Sequence, residues 1–224
     1  MAVMDEFKEE REAIRHASLS KKFGYFKDYY LIPLLIGLAA AAFIIALAWS
    51  VLSQKEEVLY VSLINFADLG EADAAVKEPF EEAYINSRKE KITVDRSIYI
   101  SSNPNEANFV KYGYEDEQKL LTLTMTGSID LLVSGEDIIE RYAAQGMFED
   151  LREIAGEDWL APYEEAGKLL YYGDLPVALS LRDSEIFNGA YYYSGEEDAG
   201  VYAAFPAGAA RRELALSFLE FLQP

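Results

Sequence analysis

Polar residues that could bind a small ligand occur where three apolar segments, 58–66, 91–100 and 128–133, come to an end. They are Asn65, Asp68, Ser101, Ser102, Ser134, Gly135 and Asp137. If the three segments are parallel strands, these residues lie at the carboxyl edge of one sheet, where open α/β sheets bind ligands. The N–H groups of residues 134–136 could bind an anion or a carbonyl there. The same residue types also form ordinary turns and helix caps, so both interpretations stay open.

Tyrosines near the C-terminus form a second candidate site. Tyr192 lies between Tyr191 and Tyr193, and Tyr202 follows after the acidic loop SGEEDAG, 194–200. Such rings could stack on a sugar or on a partner chain, or they could pack at alternating strand positions. The loop lacks the acidic spacing of a calcium-binding loop, so we predict no metal site.

The residues of common catalytic sites are scarce. The chain has no cysteine and a single histidine, His16, near its N-terminus. It contains no G-x-S-x-G motif and no glycine-rich phosphate-binding loop, and paired carboxylates, as in glycoside hydrolysis, are the one catalytic arrangement left open. We therefore predict that the protein is not an enzyme and uses no cofactor. Without cysteine, neither a disulfide nor a lipid-modified cysteine can form.

The candidate sites follow a long apolar stretch, Leu31–Leu52, which contains no charged residue. As a helix its 22 residues extend about 33 Å, against about 30 Å for the hydrocarbon core of a bilayer. A single lipid-spanning segment must be helical to pair its backbone polar groups, and Pro33 is tolerated in the first turn. Aromatic residues at both ends favour the membrane interface. The stretch predicts one transmembrane helix.

Basic residues indicate the orientation of this helix. Arg15, Lys21, Lys22 and Lys27 precede it closely, whereas only Lys55 follows before Lys77. By the positive-inside tendency, the N-terminus is cytoplasmic and the C-terminal part is extracytoplasmic. We therefore predict a single-pass protein of the cell membrane with an uncleaved signal anchor. A signal peptide cleaved after Ala48 is the alternative.

The charge is divided unequally along the chain. Residues 1–55 contain seven basic and six acidic residues, which leaves 13 basic and 33 acidic residues in the remainder. So acidic a surface is unsuited to nucleic acid, and its simplest role is to keep an exposed domain soluble. We predict four parts: a charged cytoplasmic helix and juxtamembrane segment (1–30), the transmembrane helix (31–52), a linker (53–57) and an extracytoplasmic domain (58–224).

Strand and helix patterns alternate within residues 58–224. Buried strands are predicted at 58–66, 91–100, 128–133 and 176–184, and a strand pair at 190–193 and 201–205. Helices are predicted at 72–84, 114–126, 135–145, 157–167 and 209–222, with Ser134 as the N-cap of the third. The alternation predicts a three-layer α/β domain with a mainly parallel sheet.

Two segments resemble periplasmic solute-binding proteins. They are GSIDLLVSGEDIIERYAAQGMFEDL, 127–151, and the C-terminal helix AARRELALSFLEFL, 209–222. The resemblance implies a fold like one lobe of a type 2 solute-binding protein. Members of that family hold their ligand between two lobes, but here only residues 152–176 separate the first segment from the next strand. We expect a single lobe on an N-terminal anchor.

Two functions follow from this organisation. In the first, the lobe is an interaction module that docks on another membrane or envelope protein of a bacterial cell. In the second, it is a tethered binding protein for a small molecule, such as a sugar or peptide, and serves a transporter. The sequence favours the first because the second lobe is missing and the linker is short.

Overall fold

The computed structural model describes residues 15, 18–66, 72–85, 87, 89–101, 113–184, 187 and 200–223, and at 25, 28, 29, 72–76 and 113 it describes the backbone alone. The chain divides into two compact units, Met1–Gln54 and Lys55–Pro224. Residues 1–14, 16 and 17 of the predicted cytoplasmic part, and the whole expected strand at 190–193, lie outside the described residues.

The first unit contains two consecutive helices, α1 (Leu19–Tyr29) and α2 (Leu31–Leu52). Helix α2 has the predicted bounds, and none of its residues is buried. It is long and apolar enough to cross a membrane, although a signal sequence near an N-terminus meets the same criterion.

The second unit alternates strands and helices. In chain order its elements are β1 (Glu56–Leu63), α3 (Ala72–Tyr84), β2 (Glu90–Asp95), α4 (Gly113–Met125), β3 (Leu131–Gly135), α5 (Glu136–Ala143), α6 (Leu151–Ala155), α7 (Glu157–Glu165), β4 (Leu169–Tyr172), β5 (Leu175–Ser180), β6 (Val201–Ala204) and α8 (Arg212–Leu222). The predicted α/β class is confirmed.

The strands form one mixed sheet in the order β2-β1-β3-β6-β5-β4. Strands β2, β1 and β3 are mutually parallel, whereas β6, β5 and β4 join through antiparallel pairs. Four strands, including β5, therefore point in one direction, and β6 and β4 point in the other. Antiparallel pairing of β4 with β5 follows from their two-residue connection, because parallel strands need a long crossover.

Helices cover both faces of the sheet, as predicted for three layers. On one face, Phe80 of α3, Leu151 of α6, Leu160 of α7 and Phe218 of α8 share an apolar core with β1 and β3. On the other face, Leu120 of α4 and four residues of α5 form part of a second core. The buried apolar residues of the described chain all lie between residues 59 and 222. The unit Lys55–Pro224 therefore contains its whole described core.

Three local predictions are wrong. Strand β1 begins at Glu56, within the predicted linker 53–57. Strand β2 ends at Asp95, because the Asp95 carboxylate accepts hydrogen bonds from the N–H and hydroxyl of Ser97 and turns the chain. Strand β4 was not predicted, and it shows that residues 152–176 extend the same sheet.

Candidate functional site

The carboxyl ends of β1, β2 and β3 meet at one edge of the sheet, as the sequence predicted. Leu63 at the end of β1 is paired with Val133 of β3, and Ser62 is paired with Asp95 at the end of β2. Of the candidate ligand residues, Asn65, Ser101, Ser134, Gly135 and Asp137 are described at this edge. Asp68, Ser102 and Tyr192 lie outside the described residues.

Asn65 connects β1 to the chain that follows β2. Its Nδ2 donates to the carbonyl of Ile100 at 2.7 Å, and its Oδ1 accepts from the N–H of Ile100 at 2.7 Å. The side chain is buried, with 2% exposure, and the backbone has φ +63°. Asparagine tolerates this left-handed conformation better than most residues. The Asn65 amide therefore holds the edge together from within.

Ser134 lies inside β3 instead of capping the following helix. Its hydroxyl donates to the carbonyl of Ile64 at 3.4 Å, and the side chain is fully buried. Gly135 is the N-cap of α5 and has no side chain to bond the helix. The N-cap prediction for Ser134 is therefore wrong by one residue.

One N–H group at the start of α5 is also satisfied within the chain. The N–H of Glu136 donates to the carbonyl of Gly200 at 3.2 Å. A Cβ on Gly200 would lie 2.7 Å from Cε2 of Tyr202, so the tyrosine ring packs directly on this glycine. Burial raises the pKa of Tyr202, and the nearby Glu136 carboxylate raises it further. The N–H of Glu136, which the sequence offered to an anion, is occupied by Gly200.

Two charged residues at this edge were missed in the sequence. Arg141 of α5 donates from Nη2 to the carbonyl of Ser101 at 2.9 Å. Asp95 accepts from the hydroxyl of Tyr60 at 2.5 Å and from Nζ of Lys119 at 3.0 Å, in addition to Ser97. Burial by itself would raise the pKa of Asp95, but these hydrogen bonds outweigh burial and hold the pKa well below its usual range. Both residues serve contacts within the domain.

A cleft lies at the opposite end of the sheet, where β1 and β2 begin. It has a volume of about 310 Å³ and is lined by Lys55, Glu78, Glu81, Glu82, Ile85, Ser87 and Glu90. Glu81 is partly engaged, because its Oε1 accepts from the N–H of Ile92 at 2.9 Å. Among the residues that the structure describes, no group of three or more acidic, histidine or cysteine side chains is arranged to hold a metal ion.

The connection between β4 and β5 exposes apolar side chains. We call Tyr171, Tyr172 and Leu175 the β4–β5 tip; they are 41%, 46% and 46% exposed. Among the described strands, β4 is at the end of the sheet and pairs with β5 alone. The tip is held in place because Nη2 of Arg152 donates to the carbonyl of Asp174 at 3.1 Å, and the hydroxyl of Tyr171 donates to Glu164 at 2.8 Å. Aromatic side chains held in this way can bury a large area at little cost in conformational entropy.

No protein-family model and no curated protein sequence matches the chain. Solved structures of solute-binding proteins are similar to part of it. An extracellular solute-binding protein of family 1 from Alicyclobacillus acidocaldarius has a TM-score of 0.36 and 16% identity, over 57% of this chain and 28% of that one. The maltose/maltodextrin-binding domain MalE from Bdellovibrio bacteriovorus, bound to maltotriose, has a TM-score of 0.38 and 14% identity, over 58% and 28% of the two chains.

A third similar structure is the solute-binding protein of an ABC transporter from Thermotoga lettingae, bound to α-D-tagatose. It has a TM-score of 0.33 and 20% identity, over 56% of this chain and 29% of that one. The similarity thus spans less than a third of the length of each of these proteins. It concerns the fold alone and agrees with the expected resemblance to one part of a solute-binding protein.

Proposed function

We propose that the chain is a membrane-anchored interaction module without enzymatic activity, which docks on another membrane or envelope protein. In this proposal α2 is a retained single-pass anchor, residues 1–30 are cytoplasmic, 53–55 form the linker before β1, and 56–224 form the extracytoplasmic domain. The length and composition of α2 support the anchor. The excess of basic residues before α2 supports the orientation.

The hydrogen bonds within the described part of the carboxyl edge support docking over solute binding. A ligand at this edge would have to displace the bonds of Asn65 to Ile100, of Arg141 to Ser101, and of Glu136 to Gly200. The bonds of Asn65 to Ile100 are buried, and each group left unpaired there would cost about 1–3 kcal/mol. The polar groups that suggested a ligand site are therefore better explained as supports of a rigid lobe.

The β4–β5 tip is the surface that we assign to the partner. Exposed tyrosines and a leucine at a sheet edge supply the aromatic and aliphatic contacts that dominate protein interfaces. Because β4 pairs on one side only, it also offers backbone groups to an added strand. The partner would bury the three side chains and leave the acidic helix surfaces in water.

Photocrosslinking of the full-length chain in its membrane tests the docking surface. A photoreactive phenylalanine analogue replaces Tyr172 in one variant and Tyr114, 66% exposed on α4, in a matched control. We expect one discrete adduct from position 172 and none from position 114. The double variant Y171S/L175S should remove that adduct, because both changes cut the apolar area of the tip. Adducts of equal yield from both positions, or none from position 172, would contradict the proposal.

The alternative function is a tethered binding protein for a small molecule or peptide that serves a transporter. The cleft of about 310 Å³ favours it, because small-molecule sites begin at about this size. Thermal unfolding of residues 55–224 against sugars, peptides, amino acids and calcium separates the two functions. A ligand at 100 times its Kd stabilises by about 2.7 kcal/mol, a rise in Tm of about 5–10 °C here.

The cleft itself provides the control for such a rise. The double variant E78Q/E82Q removes two exposed carboxylates of the cleft and should abolish a shift that arises there. A shift that survives these changes would place the ligand elsewhere on the domain. The docking function predicts no shift with any of these compounds.

A further inference from the structure

Helix α1 and its C-cap residue Tyr30 carry an exposed apolar stripe. We use this name for Leu19, Phe23, Phe26 and Tyr30, which are 84%, 71%, 42% and 42% exposed. Their spacing of four, three and four residues places them within an arc of about 60°, since an α-helix turns about 100° per residue. The rings of Phe26 and Tyr30 stack with their centroids 6.2 Å apart. Water is a poor environment for so continuous a surface.

Lysines border this stripe on both sides. At about 100° per residue, Lys22 lies about 60° to one side of Leu19, and Lys27 lies about 80° to the other side. Both are exposed, as is Lys21 on the face opposite the stripe. Long lysine side chains at the border of an apolar face can reach outward to a charged surface while their stems cover apolar area. The arrangement matches helices that lie in the interface of an anionic bilayer.

The chain connection brings α1 to such a surface. Only Tyr30 separates α1 from α2, and the proposed function places α2 in the bilayer. Pro33 has no N–H to donate to the carbonyl of Tyr29, so one bond of a continuous helix is missing at the junction. A helix can bend where such a bond is absent. The bend would let α1 turn from the direction of α2 onto the membrane surface.

We propose that α1 is an anionic-lipid-binding helix, with its apolar stripe in the bilayer interface and Lys22 and Lys27 on acidic headgroups. The inference rests on the proposed membrane insertion of α2 and goes beyond it, because α2 needs no particular headgroup. The occupant is the phospholipid surface, since the stripe is apolar, its borders are basic, and the adjoining helix is long enough to span lipid.

Single labels on the full-length chain test this arrangement, because a protein without cysteine gives no background labelling. An environment-sensitive fluorophore is attached to F23C on the stripe, to G24C, or to A41C in α2. Gly24 lies about 130° from the centre of the stripe, and a side chain there would have open space. Each variant is placed in nanodiscs of phosphatidylcholine, alone or mixed with phosphatidylglycerol, that contain lipid-borne quenchers. We expect strong quenching at position 41 in both nanodiscs, strong quenching at position 23 with phosphatidylglycerol, and weak quenching at position 24 throughout.

Variants of the two lysines test whether α1 binds the acidic headgroups. The double variant K22Q/K27Q should lower the partitioning of the F23C label into anionic nanodiscs about 30-fold, because each lysine near an acidic surface contributes a factor of about five. The control K89Q/K91Q makes the same charge change in the second unit and should leave the partitioning of the F23C label unchanged. Weak quenching at position 23 in every nanodisc would overturn the lipid-binding helix while quenching at position 41 upholds the anchor. Weak quenching at position 41 would overturn the anchor itself.

Discussion

Replacing Asp130 with alanine is expected to lower the free energy of unfolding of residues 55–224 by about 3–5 kcal/mol. Asp130 precedes β3 and is fully buried. Its Oδ2 accepts from the N–H of Tyr60 at 2.9 Å and from Nη1 of Arg211 at 3.0 Å, and its Oδ1 accepts from the N–H of Arg211 at 3.1 Å. The carboxylate thus joins β1 to the chain that leads into α8.

The loss of stability in D130A comes mainly from backbone N–H groups that lose their hydrogen-bond acceptor. Two N–H groups would lose their acceptor, and an unsatisfied buried donor costs about 1–3 kcal/mol. The guanidinium of Arg211 can still reach water, because its side chain is 37% exposed. We therefore expect R211Q, which leaves both backbone bonds to Asp130 in place, to be clearly less destabilising than D130A.

Urea unfolding followed by circular dichroism measures both variants. If D130A lies within about 1 kcal/mol of the unchanged domain, or if R211Q costs more than D130A, the backbone bonds are not the main contribution. An unchanged m value would show that the difference arises in the folded state. The comparison thus separates the ion pair from the two backbone bonds.

Asp130 also illustrates what a sequence leaves open. It stands in the quoted segment GSIDLLV as one acidic residue before an apolar strand, and its partner Arg211 is 81 residues away. The neighbouring residues in the sequence do not distinguish a buried, paired carboxylate from an exposed one. Asn65 is similar: the sequence placed it correctly at the edge of the sheet, but its bonds to Ile100 depend on how two separate segments are aligned.

Local sequence patterns were sufficient to predict the bounds of two helices. The bounds of α2 and α3 agree with the prediction, because a charge-free run and a helical apolar period do not depend on distant partners. Strand β4 was missed because it is short and half exposed, although Gly173-Asp174 between two apolar pairs is a hairpin signal. Its antiparallel pairing with β5 extends the part of the sheet in which β5 and β6 are also antiparallel.

Replacing Phe80 with alanine is expected to destabilise the same domain by about 3–5 kcal/mol. Phe80 of α3 is fully buried. Its ring centroid lies 4.9 Å from that of Phe218 and 5.6 Å from that of Phe221, both at edge-to-face angles, and 4.4 Å from Tyr84. The ring therefore couples α3 to α8 above the sheet. Its removal leaves a cavity lined by rings that cannot collapse fully.

Tyr84 provides the matched control because it stacks on the same ring but is 42% exposed. Y84A loses that stacking, about 0.5–1.5 kcal/mol, and leaves no closed cavity. F80L keeps most of the buried volume and should lie between the two variants. Equal losses for F80A and Y84A in urea unfolding would show that α3 is loosely packed, and the rigid lobe on which the docking proposal depends would then lack support on this face.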